Sequence, residues 1–157
     1  MSKKINIYTD GSCLNNPGKG GWGIVIIKPN NEIEEYSKGY QLTTNSRMEM
    51  YAILMALKYV EKHHITDVDI HSDSNFIVQA FNNHWLENWV KKGWKKTKNE
   101  PVANSDIWKI IYPLYKKLNV NFIKVKAHSG IEYNERVDEL AKAAAMGDDL
   151  NIDKGYL

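Results

Sequence analysis

Two short segments of the chain alternate apolar and polar residues and then end on an aspartate. Residues 5–10 read INIYTD, and residues 68–73 read VDIHSD. An alternation with a period of two predicts a β-strand. The polar turn residues that follow each aspartate predict that the strand stops there. We therefore expect two strands that each carry a carboxylate at the carboxyl end.

The same pattern analysis predicts the other elements. Apolar residues at helical spacing predict helices at 44–62, from about residue 75, at 104–119 and at 131–147. Further strands are predicted at 23–30, 32–42 and 120–128. A glycine-rich loop is expected at 11–23, and Pro113 is expected to kink or shorten its helix. This order of elements predicts an α/β fold with a mixed sheet and helices on its faces.

The element order also brings the two aspartates together. The strands ending at Asp10 and Asp73 are joined through a hairpin and a helix, so they can lie side by side and parallel. Ligands in such sheets bind beyond the carboxyl ends of the strands. Carboxylates on strands about 5 Å apart repel each other, and a divalent cation relieves that repulsion. Oxygen ligands favour Mg²⁺ or Mn²⁺ over zinc, although aspartate is also common in turns, and that role stays open.

Length and composition narrow the classes of protein. With 157 residues the chain fits one domain that buries a sizeable core. Its single cysteine, Cys13, excludes an intrachain disulfide framework and a cysteine-based zinc site. We find no stretch apolar enough for a membrane span or a signal peptide. We expect a soluble, cytoplasmic protein that is a monomer.

One segment concentrates basic and aromatic residues. Residues 85–98 hold five lysines and one glutamate, a local charge of +4, whereas the whole chain carries a net charge of only +2. Trp85, Trp89 and Trp94 lie in the same segment. Lysines interleaved with aromatic side chains are typical of a surface that binds nucleic acid. We expect Trp89 and Trp94 to be structural, and for Trp85 both packing and nucleic-acid contact stay open.

Six segments together resemble the type 1 ribonuclease H family in its bacterial form, nearly end to end. They are YTDGSCLNNPGKGGWG (8–23), TTNSRMEMYA (43–52), IHSDSNF (70–76), WLENWVKKGWK (85–95), VKAHSG (125–130) and NERVDELA (134–141). Each motif alone is weak, but six in this order and spacing are specific. The resemblance implies a ribonuclease H-like fold with a five-stranded mixed sheet whose first three strands are antiparallel. It also implies one domain over residues 1–157, with a basic protrusion at about 85–103.

The resemblance implies an endonuclease that hydrolyses the RNA strand of RNA–DNA hybrids, largely independently of sequence. The family's acidic residues fall on Asp10, Glu49, Asp73 and Asp138, and its histidine falls on His128. Asp10 would bridge two Mg²⁺ ions, or Mn²⁺ in their place, with Asp138 on one ion and Glu49 and Asp73 on the other. The products would be a 5′-phosphate and a 3′-hydroxyl. His128 would assist either proton transfer or product release.

The resemblance also implies contacts with both strands of the hybrid. Contacts with the RNA strand fall on Asn16, Asn45 and Asn75. A pocket for a DNA phosphate falls on Thr44, Arg47 and Asn104. Contacts of the basic protrusion and its neighbour with the DNA strand fall on Trp85, Lys91, Lys92, Lys95, Lys96 and Trp108. Neither a membrane nor an obligate protein partner is implied.

Two other functions stay open. A Holliday-junction resolvase or a transposase core shares acidic residues on this scaffold, but lacks the 134–141 helix combined with the tryptophan-lysine segment. A non-catalytic hybrid-binding module would bind without turnover, although it has no need of four converging acids. Departures from the family pattern at Asn15, Ala103 and Ala127 bear on rate and affinity rather than on the activity itself.

Overall fold

The chain folds as one mixed β-sheet with helices on its faces. The computed structural model describes residues 4–96, 100–125 and 132–156. Within them the strands are β1 (Ile5–Cys13), β2 (Gly18–Ile27), β3 (Ile33–Thr43), β4 (Val68–Ser72), β5 (Val120–Lys124) and β6 (Leu150–Asn151). The helices are α1 (Asn45–Lys62), α2 (Asn75–Asn82), α3 (Trp85–Lys91), α4 (Ser105–Lys117) and α5 (Glu132–Met146), with a 3₁₀ turn at Lys154–Tyr156.

The strand order is β5-β4-β1-β2-β3-β6, which makes the sheet mixed. β1, β2 and β3 are antiparallel, as predicted. β4 runs parallel to β1, and β5 runs parallel to β4. The sheet has six strands instead of the predicted five, because the two-residue strand β6 pairs with β3 at Gly39 and Tyr40. A segment this short gives no readable alternation in the sequence.

Three predicted element boundaries are corrected by the structure. The loop expected at 11–23 is wrong, because β1 and β2 extend into it and only residues 14–17 connect them. Helix α4 continues through Pro113 and ends at Lys117, shorter than predicted. Strand β5 ends at Lys124, and residues 126–128 of the predicted strand lie outside the described residues.

Helix α1 covers one face of the sheet and forms the main core with it. The hydroxyl of Thr44 caps the helix by accepting a hydrogen bond from the Arg47 N–H at 3.2 Å. Trp22 and Ile24 point from β2 into this core, where they are almost fully buried. Among the described residues, no helix is long and apolar enough to cross a membrane.

Helix α5 packs on the other face of the sheet, against glycines. Adjacent residues of a strand point to opposite faces, so Gly21 faces α5 where its neighbour Trp22 faces the core. A Cβ on Gly21 would lie only 2.5 Å from the carbonyl oxygen of Ala141, and one on Gly39 would overlap the carbonyl oxygen of Ala144. The absence of side chains at these positions lets the α5 backbone approach the sheet directly.

Replacing Gly39 by alanine should destabilise the protein, because the added methyl group must push α5 away from the sheet. We expect the free energy of unfolding to fall by about 1–3 kcal/mol, the usual effect of overpacking a core. Urea unfolding measures this change. Gly147→Ala is the matched control, since a Cβ there meets its nearest atom at an ordinary 3.5 Å. Equal stability of the two variants would contradict close packing by α5.

Candidate active site

Three carboxylates converge at one edge of the sheet. Thr9 of β1 pairs with Ser72 of the parallel strand β4, so the residues that follow them, Asp10 and Asp73, emerge next to each other. Glu49 comes from the beginning of α1. One carboxylate oxygen from each of these three acids lies within 4.8 Å of the other two. The proximity that the two strand patterns predicted is therefore present.

Glycine at position 11 is what lets α1 bring Glu49 to this edge. A Cβ on Gly11 would overlap the backbone nitrogen of Glu49 and atoms of Met48. Any larger residue would push the beginning of α1 away from β1, and with it the carboxylate of Glu49. The spacing of the acids is thus set by a backbone contact between strand and helix.

Asp138 of α5 adds a fourth acid to the cluster. Its carboxyl group lies close enough to that of Asp10 to contribute to the raised pKa of that residue. Its Oδ2 atom also lies 2.9 Å from the ammonium of Lys142, one helical turn further along α5. Lys142 was missed in the sequence, although its spacing of four residues from an acid is the usual spacing of a helical ion pair.

Burial and mutual repulsion raise the pKa values of two of these acids well above the usual range of carboxyl groups. Burial raises the pKa of Asp10 to about 8, assisted by the negative charge of Asp73 and the proximity of Asp138. Burial likewise raises the pKa of Glu49 to about 7, again with a contribution from Asp73. Raised pKa values of this kind are typical of carboxylates that share one site. The carboxylate cluster therefore suits a bound cation, whose positive charge would stabilise the ionised carboxylates.

The alternative interpretation, that Asp10 and Asp73 simply cap turns after their strands, does not account for the cluster. The hydroxyl of Ser74 caps α2 by accepting the N–H of Ile77, and Thr44 caps α1. Asp10 does accept a hydrogen bond from the N–H of Gly11 at 2.9 Å, a local contact typical of turns. That contact accounts for one oxygen of one acid and leaves the convergence of four unexplained.

The four asparagines predicted to contact substrate share one hydrogen-bonding pattern. In each of them, the side-chain carbonyl oxygen accepts a hydrogen bond from another group of the protein. Asn45 accepts from the N–H of Cys13 at 2.7 Å, and Asn16 accepts from the N–H of Asn45 at 3.2 Å. The other two, Asn75 and Asn104, accept from Gln79 at 3.3 Å and Arg47 at 3.2 Å. In each amide the opposite end, an NH₂ donor group, is the end left to meet a ligand.

Two of the predicted substrate contacts are buried among side chains of the protein. Arg47 was expected to grip a DNA phosphate, but it is 2% exposed and all five of its N–H donors are bonded to protein oxygens. Trp108 was expected to contact the DNA strand, but it is 1% exposed and packs in the core against Phe81. Sequence motifs identify such residues without revealing their burial, which the tertiary packing decides.

The lysines of the basic protrusion lie on the surface wherever the structure describes them. Lys91, Lys92, Lys95 and Lys96 are exposed. A shallow pocket of about 240 Å³ is lined by Trp85, by Trp89 and by three of these lysines, Lys92, Lys95 and Lys96. Phe76 was missed in the sequence: its ring is half exposed and lies 5.5 Å from that of Trp85. Its position directly after Asn75, a predicted substrate contact, was the signal in the sequence that could have identified it.

The predicted histidine of the site, His128, lies outside the described residues.

Comparisons with known structures place the fold. The chain resembles LC9-RNase H1, a type 1 RNase H with the type 2 active-site motif, with a TM-score of 0.80 and 26% identity over 99% of this chain and 80% of that one. It also resembles LC11-RNase H1, solved in complex with an RNA/DNA hybrid, with a TM-score of 0.68 and 26% identity. That match covers 98% of this chain and 99% of the other.

Comparisons of sequence then give the family. Residues 2–146 match the profile of the RNase H family. A curated ribonuclease H from Lachnoclostridium phytofermentans is 45% identical over 155 residues, which cover 96% of this chain and 97% of the relative. The chain therefore belongs to the RNase H family of nucleases, and the resemblance found in its motifs is confirmed.

The raised pKa values predict how the metal-free protein responds to pH. Folded Asp10 and Glu49 hold protons up to about pH 8 and 7, whereas the unfolded chain releases them near pH 4. The contribution of these groups to stability is fully present below about pH 4 and is lost as the pH rises to about 8. We expect Asp10→Asn to raise the free energy of unfolding at pH 8 in EDTA by about 1–3 kcal/mol.

Denaturant unfolding between pH 4 and 8 measures this effect, and the variant should show a shallower pH dependence than the wild type. Asp149→Asn is the control, because it removes one acid from an exposed position outside the cluster. A variant at Asp10 that is less stable than the wild type at pH 8 would contradict mutual repulsion among the acids.

Proposed function

We propose that the protein is an endonuclease that hydrolyses the RNA strand of RNA–DNA hybrids. The observation that carries this proposal is the convergence of Asp10, Glu49 and Asp73 within 4.8 Å, joined by Asp138, on the fold of the RNase H family. A related solved structure, LC11-RNase H1, holds an RNA/DNA hybrid. A binding module has no use for four acids whose repulsion opposes folding.

The acids fit a site for divalent cations. They offer only oxygen ligands, which suit Mg²⁺ or Mn²⁺, and their raised pKa values indicate that added positive charge would stabilise their ionised forms. Two Mg²⁺ ions would be held by Asp10, Glu49, Asp73 and Asp138. When bound, they would supply activation of water and stabilisation of the leaving 3′ oxygen, giving a 5′-phosphate and a 3′-hydroxyl.

The polar surface around the acids suits a nucleic acid. The NH₂ groups of Asn16, Asn45 and Asn75 would donate to acceptor atoms of the RNA strand, where 2′-hydroxyl groups distinguish RNA from DNA. The exposed lysines of the protrusion would hold phosphates of the DNA strand, and Trp85 and Phe76 would contact its sugars or bases. Phosphate contacts carry affinity without sequence information, so cleavage should be largely independent of sequence.

The proposal also covers the domain organisation, the oligomeric state and the cellular location of the protein, and the role of His128. We propose that residues 1–157 act as a single catalytic domain, as a monomer, in the cytoplasm, without an obligate protein partner. His128 is proposed to assist proton transfer or product release, because imidazole changes its charge near neutral pH. The six-stranded sheet and the helices packed on both its faces support a single domain.

Cleavage of a hybrid with separately labelled strands tests the function. We expect the wild type to cut only the RNA strand, only with Mg²⁺ or Mn²⁺, and to leave 5′-phosphate ends. Asp10→Asn should lose activity by about a thousandfold or more, because it removes one member of a group that acts as a unit. Asp149→Asn should retain wild-type activity.

The other outcomes of this experiment distinguish the alternatives. Hybrid binding without cleavage in either metal would favour the non-catalytic module. Cleavage of duplex DNA or of DNA junctions would favour a resolvase or a transposase core. A fully active Asp10→Asn variant would remove the acidic cluster from the mechanism.

The lysines of the protrusion should govern the salt dependence of binding. Replacing Lys95 and Lys96 by alanine should weaken hybrid binding and lower the slope of log Kd against log salt by about 2, roughly one for each lysine that no longer neutralises a phosphate. Fluorescence anisotropy at several salt concentrations measures the slope. Lys58 and Lys62, exposed near the far end of α1, form the matched control pair. Equal slopes for both double variants would exclude the protrusion from binding.

A further inference from the structure

The guanidinium of Arg47 is held by side chains from two other parts of the chain. Nε and Nη2 donate to Asp153 at 2.7 and 3.0 Å. Nη1 and Nη2 donate to Asp106 at 2.9 and 2.7 Å. The fifth N–H, on Nη1, donates to Oδ1 of Asn104 at 3.2 Å. A guanidinium has five donors in a rigid plane, so the two aspartates determine where the fifth one points.

Asn104 depends on this arginine for its orientation. It precedes α4 in the left-handed conformation, with φ 58° and ψ 31°, and its side chain makes no bond to the helix. An asparagine at this position usually caps the helix by accepting an N–H of the first turn. Here Oδ1 accepts from Arg47 instead, so the NH₂ group is at the other end of the amide.

That NH₂ group belongs to a residue beside the acidic cluster. Asn104 lines a cavity of about 260 Å³ that Glu49 and Lys96 also line. The cavity therefore joins the acids to the basic protrusion, and Asn104 is half-buried at its wall. A hydrogen-bond donor at this place suits a phosphate oxygen of a nucleic-acid strand that passes from the acids to the basic protrusion.

Asp153 comes from the C-terminal segment, residues 150–156, which also contains β6. Its carboxylate is fully buried and, besides Arg47, accepts from the hydroxyls of Thr43 at 2.7 Å and Tyr51 at 3.0 Å. The turn that follows packs on the ion pairs, because a Cβ on Gly155 would overlap the carboxylate of Asp106. The end of the chain thus closes over Arg47 and fixes it.

We propose that Asp153 is a positioning residue for hybrid binding: through Arg47, it fixes the amide of Asn104 with its NH₂ group turned toward the nucleic acid. This inference rests on the proposed function. Without the carboxylate of Asp153, Arg47 loses two of its acceptor bonds and can rotate away from Asn104. The amide of Asn104 can then flip, and its carbonyl oxygen repels a phosphate.

Hybrid affinity of Asp153→Asn tests the proposal, since this change keeps the shape of the side chain and removes its charge. Measured by anisotropy in the Asp10→Asn background, without divalent cations, Kd should rise about tenfold, the usual effect of losing one hydrogen bond to a charged group. Thr43→Val is the matched control, because it removes a bond to the same carboxylate and leaves Arg47 untouched. It should lower the melting temperature and leave Kd unchanged.

A double variant separates positioning from a general loss of structure. If Asp153 acts through Asn104, then Asn104→Ala with Asp153→Asn should bind no more weakly than Asn104→Ala alone. Losses that multiply would overturn the proposal. Should Asp153→Asn fail to fold, Asp106→Asn replaces it, because the side chain of Asp106 is 46% exposed and also directs Nη1. The same non-additivity with Asn104→Ala is then required.

A measurement without substrate keeps the proposal distinct from the function on which it rests. The side-chain NH₂ resonances of Asn104 in a ¹⁵N-labelled protein should shift in Asp153→Asn and stay in place in Thr43→Val. Unchanged Asn104 resonances in Asp153→Asn would overturn the proposal whatever the enzyme cleaves. A wild type that neither binds nor cuts the hybrid would instead overturn the proposed function.

Discussion

Repulsion among four neighbouring carboxylates is the constraint on which the rest of the structure depends. The four acids come from different elements: Asp10 from β1, Glu49 from α1, Asp73 from the residue after β4, and Asp138 from α5 on the opposite face of the sheet. Folding buries these acids and brings them together against their mutual repulsion, and the raised pKa values of Asp10 and Glu49 reflect burial first and repulsion second. Packing elsewhere must therefore supply the stability that the cluster removes.

Where that packing sets the positions of the acids it brings backbone close to backbone, which explains why the cluster keeps its spacing. Gly11 sets the approach of α1 to β1, and Gly21 and Gly39 set the approach of α5 to the sheet. Side chains can change rotamer when charges repel, but the main chains of packed elements cannot separate without opening the core. A rigid frame of this kind would hold the acids in place before the proposed cations bind, in keeping with preorganisation of functional sites.

Much of the site could be predicted from the sequence, since its chemistry is written in local patterns. Asp10 and Asp73 each end an alternating pattern in the sequence, and the parallel pairing of β1 with β4 follows from element order, although β1 itself continues to Cys13. The glycines of 11–23 misled the prediction because glycine is typical of loops, whereas here it serves close packing between strand and helix. Burial of Arg47 and Trp108 could not be foreseen, because motif resemblance identifies positions and only tertiary packing reveals exposure. The role of Asp153 depends on hydrogen bonds across more than a hundred residues of chain.

The shared orientation of the four asparagines has a consequence for the ageing of the protein. Asparagine is a chemically labile residue on heating, and net hydrolysis of its amide takes up water, releases ammonia and leaves a carboxylate. At Asn45, Asn75 or Asn104 that reaction would replace the NH₂ donor with a negative charge, while the oxygen bonded inside the protein stays in place. If these amides contact nucleic acid as proposed, a stored sample would bind it more weakly, and the mass of the intact chain would report the change.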